Sequence, residues 1–189
     1  MLVLIVVGLI AWKRPDRALR VATANVAQTL CAGVFVSGQA PGRVFEENIA
    51  PIAGMHFLLP HLRYTVDRTQ RAITATWHGH FAGVATWYPT YGCALPTTTP
   101  DVETLRAAHA VAAEETDPQT PVVTSQDPAI QAALTRAFAE PSSGPQRRVH
   151  AIVVMHDGKI IAERYAAGFT AQTPQLGYSM SKSVVNALL

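Results

Sequence analysis

The chain opens with an unbroken apolar run from Leu2 to Trp12, which ends at Lys13, Arg14 and Pro15. As a helix this run would span about 16 Å, roughly half of a bilayer core. That length is typical of the apolar core of a signal sequence, but no basic residues precede it and no small-residue cleavage site follows. We therefore expect residues 1–14 to be a membrane anchor or an uncleaved signal, with a basic segment upstream of Met1. The alternative is an apolar helix packed on the domain.

The pattern then becomes helical. Pro15 and Asp16 are typical of a helix start, and apolar residues recur at helical spacing at Leu19, Ala22, Val26 and Leu30. Gly33 is predicted to end this helix. A second short helix is predicted from Pro41 toward Ala50, with Pro51 as its stop.

From Tyr64 to Trp87 the pattern changes to alternation, in which Ile73, Ala75 and Trp77 are separated by polar residues. Alternation of this kind predicts β-strands. Gly79 and Gly83 interrupt it, so we expect a hairpin or a bulged pair of strands. A loop follows from Pro96 to Pro100, and then a modest helix that begins near Val102.

The second half of the chain contains the clearest elements. Asp127 and Pro128 are typical of a helix cap and first turn, and one apolar face follows them: Ile130, Ala133, Leu134, Ala137 and Phe138. Residues 141–145 form a break, near which we place a domain boundary. Ala151–Met155 is continuously apolar, which predicts a strand buried on both faces. Asp157-Gly158 favours a type I′ turn into a partner strand, Ile160–Tyr165.

Composition and charge exclude several classes of protein. Hydrophobic residues make up 49% of the chain and charged residues 15%, which excludes a disordered charged tail. The net charge is only +2 and the basic residues are scattered, so we expect no nucleic-acid partner. His78-Gly79-His80 places two imidazoles close together, but no clear third ligand accompanies them, and we expect no metal and no cofactor.

The cysteine count leaves the redox state open. Cys31 and Cys93 are far apart in the sequence and would form one disulfide if the chain is exported. The alternative is two unpaired cysteines that serve as small hydrophobic residues.

The candidate chemistry lies in the segment Gly177 to Ser183, which opens a predicted helix. Ser179 and Lys182 have the spacing Ser-x-x-Lys and would share one helix face. A serine hydroxyl becomes a nucleophile when a nearby base takes its proton, and a lysine whose pKa is lowered supplies such a base. The helix N-terminus favours a developing oxyanion through its dipole and its free N–H groups. The alternative is that Ser179 is an ordinary N-cap and Lys182 a solvated charge.

The order of these elements resembles that of the serine β-lactamase and penicillin-binding family. It consists of an apolar strand, an Asp-Gly hairpin turn, a second strand and then a Ser-x-x-Lys helix. Val153–Tyr165 is similar to the family's first hairpin, and Tyr178–Val184 to its nucleophile motif, closest to the esterase-like and class C branch. The segments Leu30–Gly38 and Tyr91–Cys93 also resemble the leader of membrane-anchored bacterial serine hydrolases.

The resemblance implies an α+β fold in which an antiparallel sheet packs against helices. It implies that Ser179 forms the acyl-enzyme and that Lys182 is the general base, acting on an ester, an amide or a β-lactam. We expect residues 15–140 to be a mixed helical and β leader, and residues 146–189 to be the start of the hydrolase domain, placed outside the cytoplasm in a bacterial envelope. The family's Tyr/Ser-x-Asn and Lys/His-x-Gly motifs should lie well beyond Leu189, so we expect the chain to be an inactive fragment.

Two alternative functions remain open at this point. A cell-wall D,D-peptidase or transpeptidase would use the same nucleophile with another acyl acceptor. A non-catalytic, membrane-tethered binding domain would use Ser179 only to begin a helix. Tyr165 and Tyr178 are interpreted as packing residues, and Trp12, Trp77 and Trp87 as core or interface anchors.

Overall fold

A long helix packed along a four-stranded antiparallel sheet dominates the first half of the chain. The computed structural model describes residues 14–89, 91–98, 101 and 121–189. The predicted anchor, apart from Arg14, and the helix predicted near Val102 lie outside these residues.

Helix α1, Pro15–Cys31, begins where the sequence predicted and continues as a π-helical turn, Ala32–Val36. The predicted end at Gly33 is therefore wrong. A Cβ on Gly33 would lie 2.5 Å from Cγ2 of Val44, so this glycine permits close packing instead of ending the helix. The buried residues of α1 are Thr23, Val26, Ala27, Leu30 and Cys31.

A second helical segment follows as predicted. It consists of α2, Pro41–Val44, and a π-helical turn, Phe45–Ile49, in which Val44 and Ile49 are fully buried. Two 3₁₀ turns, Met55–Phe57 and Leu59–His61, lead into the sheet.

The sheet has the order β1-β2-β3-β4, with every neighbouring pair antiparallel. Its strands are β1, Leu62–Asp67; β2, Ala72–Trp77; β3, His80–Tyr88; and β4, Gly92–Ala94. The predicted hairpin is β2–β3, and His78 and Gly79 between its strands both have positive φ, as a type I′ turn requires. The sequence did not distinguish β1 and β4 as separate strands.

Gly83 lies inside β3 and does not interrupt it. A Cβ on Gly83 would lie 2.2 Å from the backbone nitrogen of Ala24, so the missing side chain lets α1 approach the sheet. The hydroxyl of Thr23 donates to the carbonyl of Phe81 at the same crossing. The core between helix and sheet is fully buried at Val26, Leu30, Ile73, Ala75 and Ala85.

The later part of the chain forms a helix and a hairpin. Helix α3, Pro128–Phe138, begins as predicted, with the Asp127 carboxylate accepting from the Ala129 N–H. Of its predicted apolar face, Leu134 is buried and Ala133 is exposed. Strand β5, Ala151–His156, pairs with β6, Lys159–Tyr165, through the predicted Asp157-Gly158 turn.

The prediction that β5 is buried on both faces is wrong for the described residues. Val153 is 50% exposed and Met155 65% exposed, because the described part of this sheet has two strands. Ala162 of β6 is fully buried, and the Arg164 guanidinium binds Gln131 and Thr135 of α3 and lies over the Phe138 ring. Arg164 thus joins the hairpin to α3.

Contacts divide the chain into two compact units, one of Met1–Glu114 with Leu176–Leu189 and one of Glu115–Gln175. Helix α4, Met180–Leu188, belongs to the first unit, and α3 belongs with the hairpin in the second. The boundary predicted near residues 141–145 stays a prediction, and α3 binds both Arg164 of β6 and, through Gln131, the carbonyl of Ser125 before it. The fold class, α+β with an antiparallel sheet and helices, is as predicted.

One helix near the N-terminus, Pro15–Val36, is long and apolar enough to cross a membrane, by length and composition alone. One face of this helix packs against the sheet, and Val26, Ala27 and Leu30 on that face have no exposed surface. An apolar helix packed in this way meets the same criterion as a membrane span.

Candidate active site

Ser179 is the residue that immediately precedes α4. A tight turn leads into the helix: the N–H groups of Met180, Ser181 and Lys182 donate to the carbonyls of Gly177, Tyr178 and Ser179. Because these three N–H groups already have acceptors, they are not free to bind an oxyanion, in contrast to the sequence-based expectation. The helix dipole still favours negative charge at this end.

The structure brings the two predicted site residues together. Lys182 Nζ lies 3.1 Å from Ser179 Oγ and donates a hydrogen bond to it. The spacing of three residues places both side chains on one side of the first turn, as the sequence indicated. A proton is able to pass directly along this line from the hydroxyl to the amine once the amine is neutral.

The Ser179 hydroxyl makes no capping hydrogen bond to the helix. Ser179 nevertheless occupies the N-cap position of α4, so the alternative in which it only begins the helix stays open. Ser181 behaves differently, since its hydroxyl donates to the Tyr178 carbonyl at 2.7 Å. Of these two serines, only Ser179 has its oxygen next to the lysine amine.

The residue before Ser179 has an unusual backbone. Tyr178 has φ of 42°, in the left-handed region that a bulky residue rarely occupies. Its side chain is 67% exposed, so the interpretation of Tyr178 as a packing residue is wrong for the described residues. Six other described non-glycine residues also have positive φ, among them His78 and Asp157 in hairpin turns, so this backbone does not by itself mark a functional site.

Both Ser179 and Lys182 are exposed. An open groove of about 260 Å³ runs beside them, lined by Ser181, Lys182, Val185, Asn186 and Leu189. Apolar side chains of the same helix are also exposed, among them Val184 at 60% and Leu188 at 81%. The described residues therefore do not supply the burial that favours a neutral lysine.

Cys31 and Cys93 form a disulfide, with their Cα atoms 6.0 Å apart. It joins the end of α1 to β4, two elements separated by 62 residues in the sequence. The sequence left this pairing open, and both cysteines lie far from Ser179 in the chain.

The His78-Gly79-His80 motif lies at the β2–β3 turn. The His78 ring stacks on His61 with centroids 3.7 Å apart, and desolvation, followed by the charges of His61 and His80, lowers the pKa of His78. No group of three or more metal-ligating side chains is placed to hold an ion within the part of the chain that the structure describes.

Tyr165 has a role that the sequence did not suggest. Its hydroxyl donates to the Glu163 carboxylate, whose other oxygen accepts from the Val123 N–H at 3.1 Å. The bond to Glu163 raises the pKa of Tyr165 to about 12, and the Tyr165 hydroxyl, with the backbone N–H, lowers the pKa of Glu163. Glu163 thus binds both the N–H and the carbonyl of Val123, which holds Val123 beside β6.

Comparisons with protein-family models, with curated proteins and with solved structures found no match to this chain. The resemblance to the β-lactamase and penicillin-binding family therefore depends on the motifs quoted above and on the Ser179–Lys182 geometry.

Proposed function

We propose that this chain carries the nucleophile and the general base of a serine hydrolase of the β-lactamase and penicillin-binding type. The observation that carries the proposal is the 3.1 Å contact between Lys182 Nζ and Ser179 Oγ at the start of α4. The absence of a capping hydrogen bond from the Ser179 hydroxyl supports it, because this oxygen is then used by Lys182 and not by the helix backbone.

The proposed reaction is acyl transfer through Ser179. Its Oγ attacks the carbonyl carbon of an ester, amide or β-lactam while the neutral Lys182 amine takes the hydroxyl proton. The new Oγ–C bond gives a tetrahedral intermediate, and its collapse expels the leaving group, which receives the proton from Lys182. Water then attacks the acyl carbon and gives one proton to the Lys182 amine, and the acid is released as that proton returns to Ser179 Oγ.

The finer fold and location belong to the same proposal. The β5–β6 hairpin followed by the Ser-x-x-Lys helix supports a β-lactamase-like hydrolase domain. The apolar run of residues 2–12 in the sequence and the disulfide support a location outside the cytoplasm, in a bacterial envelope, because disulfides persist in oxidising compartments. A D,D-peptidase or transpeptidase would share the acylation step.

The exposure of Ser179 and Lys182 favours a second candidate, the non-catalytic binding domain. The two candidates differ in whether Ser179 becomes acylated, and labelling with a fluorophosphonate probe distinguishes them directly.

The test uses the natural gene product. We expect the probe to label the protein, Ser179→Ala to abolish labelling, and Ser181→Ala, the matched control, to keep it. Lys182→Arg keeps the charge but removes the base, so labelling should slow by about 10²–10⁴-fold. Labelling that survives Ser179→Ala, or a natural gene product that is folded but never labelled, would contradict the proposal.

A further inference from the structure

The start of α1 presents a row of arginines to solvent. Arg14 immediately precedes the helix, Arg17 and Arg20 follow at intervals of three residues, and all three are exposed. Side chains three or four positions apart lie next to each other on a helix surface. Val21 lies four positions after Arg17 and is 68% exposed. We call this surface, made of Arg14, Arg17, Arg20 and Val21, the basic face of α1.

The positive charge of the basic face is only partly neutralised. Asp16 is the acidic residue in the first turn of α1, and its carboxylate accepts from the Arg14 guanidinium at 3.4 Å. Arg17 and Arg20 form no ion pair with any carboxylate among the described residues. The Arg20 guanidinium instead lies 5.9 Å from the Phe81 ring centroid. Two guanidinium groups are therefore available to an external anion.

The basic face lies toward the end of the sheet that holds the β2–β3 turn. The Thr23 hydroxyl donates to the carbonyl of Phe81, the second residue of β3. From this crossing α1 runs toward β4, where Gln28 Nε2 donates to the Cys93 carbonyl at 2.7 Å. The residues before Thr23 continue in the opposite direction, away from β4, over about 13 Å to Arg14. The arginines thus collect at one end of the helix–sheet unit.

The sequence places the apolar run Leu2–Trp12 directly before this end, with only Lys13 between that run and Arg14. A bilayer that holds the run is therefore within a few residues of the basic face. Arginines next to a membrane are attracted to anionic headgroups, by about fivefold in affinity for each charge. Guanidinium groups also bind phosphate oxygens in a bidentate manner. The position and the sign of these charges both match an anionic bilayer surface.

We propose that the basic face of α1 docks on the anionic lipid headgroups of the membrane that the predicted anchor enters. Arg17 and Arg20 bind headgroup phosphates, and Val21 contacts the headgroup layer beside them. Docking holds the start of α1 against the bilayer and keeps the β1–β2 turn, at the other end of the sheet, away from it. This inference rests on the envelope location in the proposed function. It does not involve Ser179, so docking and acyl transfer are tested separately.

The experiment measures how close α1 lies to the headgroups when the full chain is reconstituted in vesicles. Asn25→Cys, an exposed position one turn after Val21, carries a bimane label, and the native cysteines do not react because they form the disulfide. A headgroup nitroxide lipid quenches the label. The apolar run inserts in any bilayer, so quenching and not membrane capture is the readout.

We expect stronger quenching in vesicles of equal parts phosphatidylcholine and phosphatidylglycerol than in phosphatidylcholine alone. The difference should disappear in 1 M salt, where the Debye length is about 3 Å. Arg17→Glu combined with Arg20→Glu should lower the ratio of docked to undocked protein by at least about thirtyfold, since each charge contributes about fivefold. Arg17→Lys combined with Arg20→Lys keeps the charge and should keep the quenching.

Arg68→Glu is the matched control, because Arg68 is an exposed arginine in the β1–β2 turn at the other end of the sheet, and it should leave quenching unchanged. Equal quenching in both kinds of vesicle would overturn the proposal, and so would quenching that survives the double glutamate change. An equal loss in Arg68→Glu would overturn it too, since any arginine would then serve. Fluorophosphonate labelling of Ser179 reports the proposed acyl transfer independently of every one of these outcomes.

Discussion

At the scale of single residues, the Tyr165–Glu163 bond makes stability depend on alkaline pH. The pKa of Tyr165 is raised to about 12 from an ordinary value of 10.0, so the folded state holds this proton after the unfolded state has released it. The contribution is present below pH 10 and is lost as the pH rises toward 12. Tyr165→Phe should remove this loss, as measured by urea unfolding at neutral and alkaline pH.

Phenolate absorbance provides the direct check. One of the five tyrosines should ionise late in the wild type, and this late phase should be missing from Tyr165→Phe but present in Tyr88→Phe. The Glu163 pKa is lowered from 4.5, so its own contribution is lost as the pH falls through the lowered pKa. An alkaline phase that survives in Tyr165→Phe would show that another residue causes it.

The backbone of Tyr178 is left-handed, which costs about 1–2 kcal/mol in a non-glycine residue. The side chain is 67% exposed, so its removal loses little packing. Tyr178→Gly should raise the free energy of unfolding by about 1 kcal/mol, whereas Tyr178→Phe, which keeps the strain, should not change it. Urea unfolding measures both, and lower stability in the glycine variant would contradict the strain argument.

At the scale of elements, the packing of α1 on the sheet depends on Gly83. An added Cβ would meet the backbone of Thr23 and Ala24 at 2.4 and 2.2 Å, and backbone cannot move aside as a side chain can. Gly83→Ala should therefore lower the free energy of unfolding by about 1–3 kcal/mol. Gly42→Ala is the control, since a Cβ there has no neighbour within 4 Å. Equal effects of the two substitutions on thermal unfolding would contradict this packing.

The disulfide acts on the same elements from the other end of α1. It closes a separation of 62 residues, for which the loop-entropy estimate is about 4 kcal/mol. The double change Cys31→Ser with Cys93→Ser should lower the free energy of unfolding by about 2–4 kcal/mol. Reductant should lower wild-type stability to a similar extent and leave the double variant unchanged. If reductant destabilised both proteins equally, the disulfide would not be the cause.

Elements were predictable where a local signal decides them. The Asp127 cap, the Asp157-Gly158 turn and the start of α1 at Pro15 each depend on neighbouring residues and were predicted correctly. Gly33 and Gly83 misled the prediction, because a glycine needed for close approach to a distant residue has the same sequence signal as one that ends an element. Tertiary packing, absent from the local pattern, decides between the two.

At the scale of the whole molecule, the candidate site was predictable where its residues are near neighbours in the sequence. Ser179 and Lys182 share one helical turn, so spacing alone brings them together. The Glu163–Tyr165 pair was not predictable, since the sequence does not show which hydroxyl meets which carboxylate. The N–H groups that the proposed acyl transfer would need for its oxyanion were also not predictable, because the first N–H groups of α4 already have acceptors.

We expect that residues 1–189 do not turn over an activated ester through Ser179. The dyad is exposed, and a lysine becomes an effective base only when burial or neighbouring cations favour its neutral form. Purified residues 1–189 should show the same slow ester hydrolysis as Ser179→Ala in the same chain. Turnover by residues 1–189 that Ser179→Ala abolishes would instead show that the exposed dyad is sufficient for catalysis.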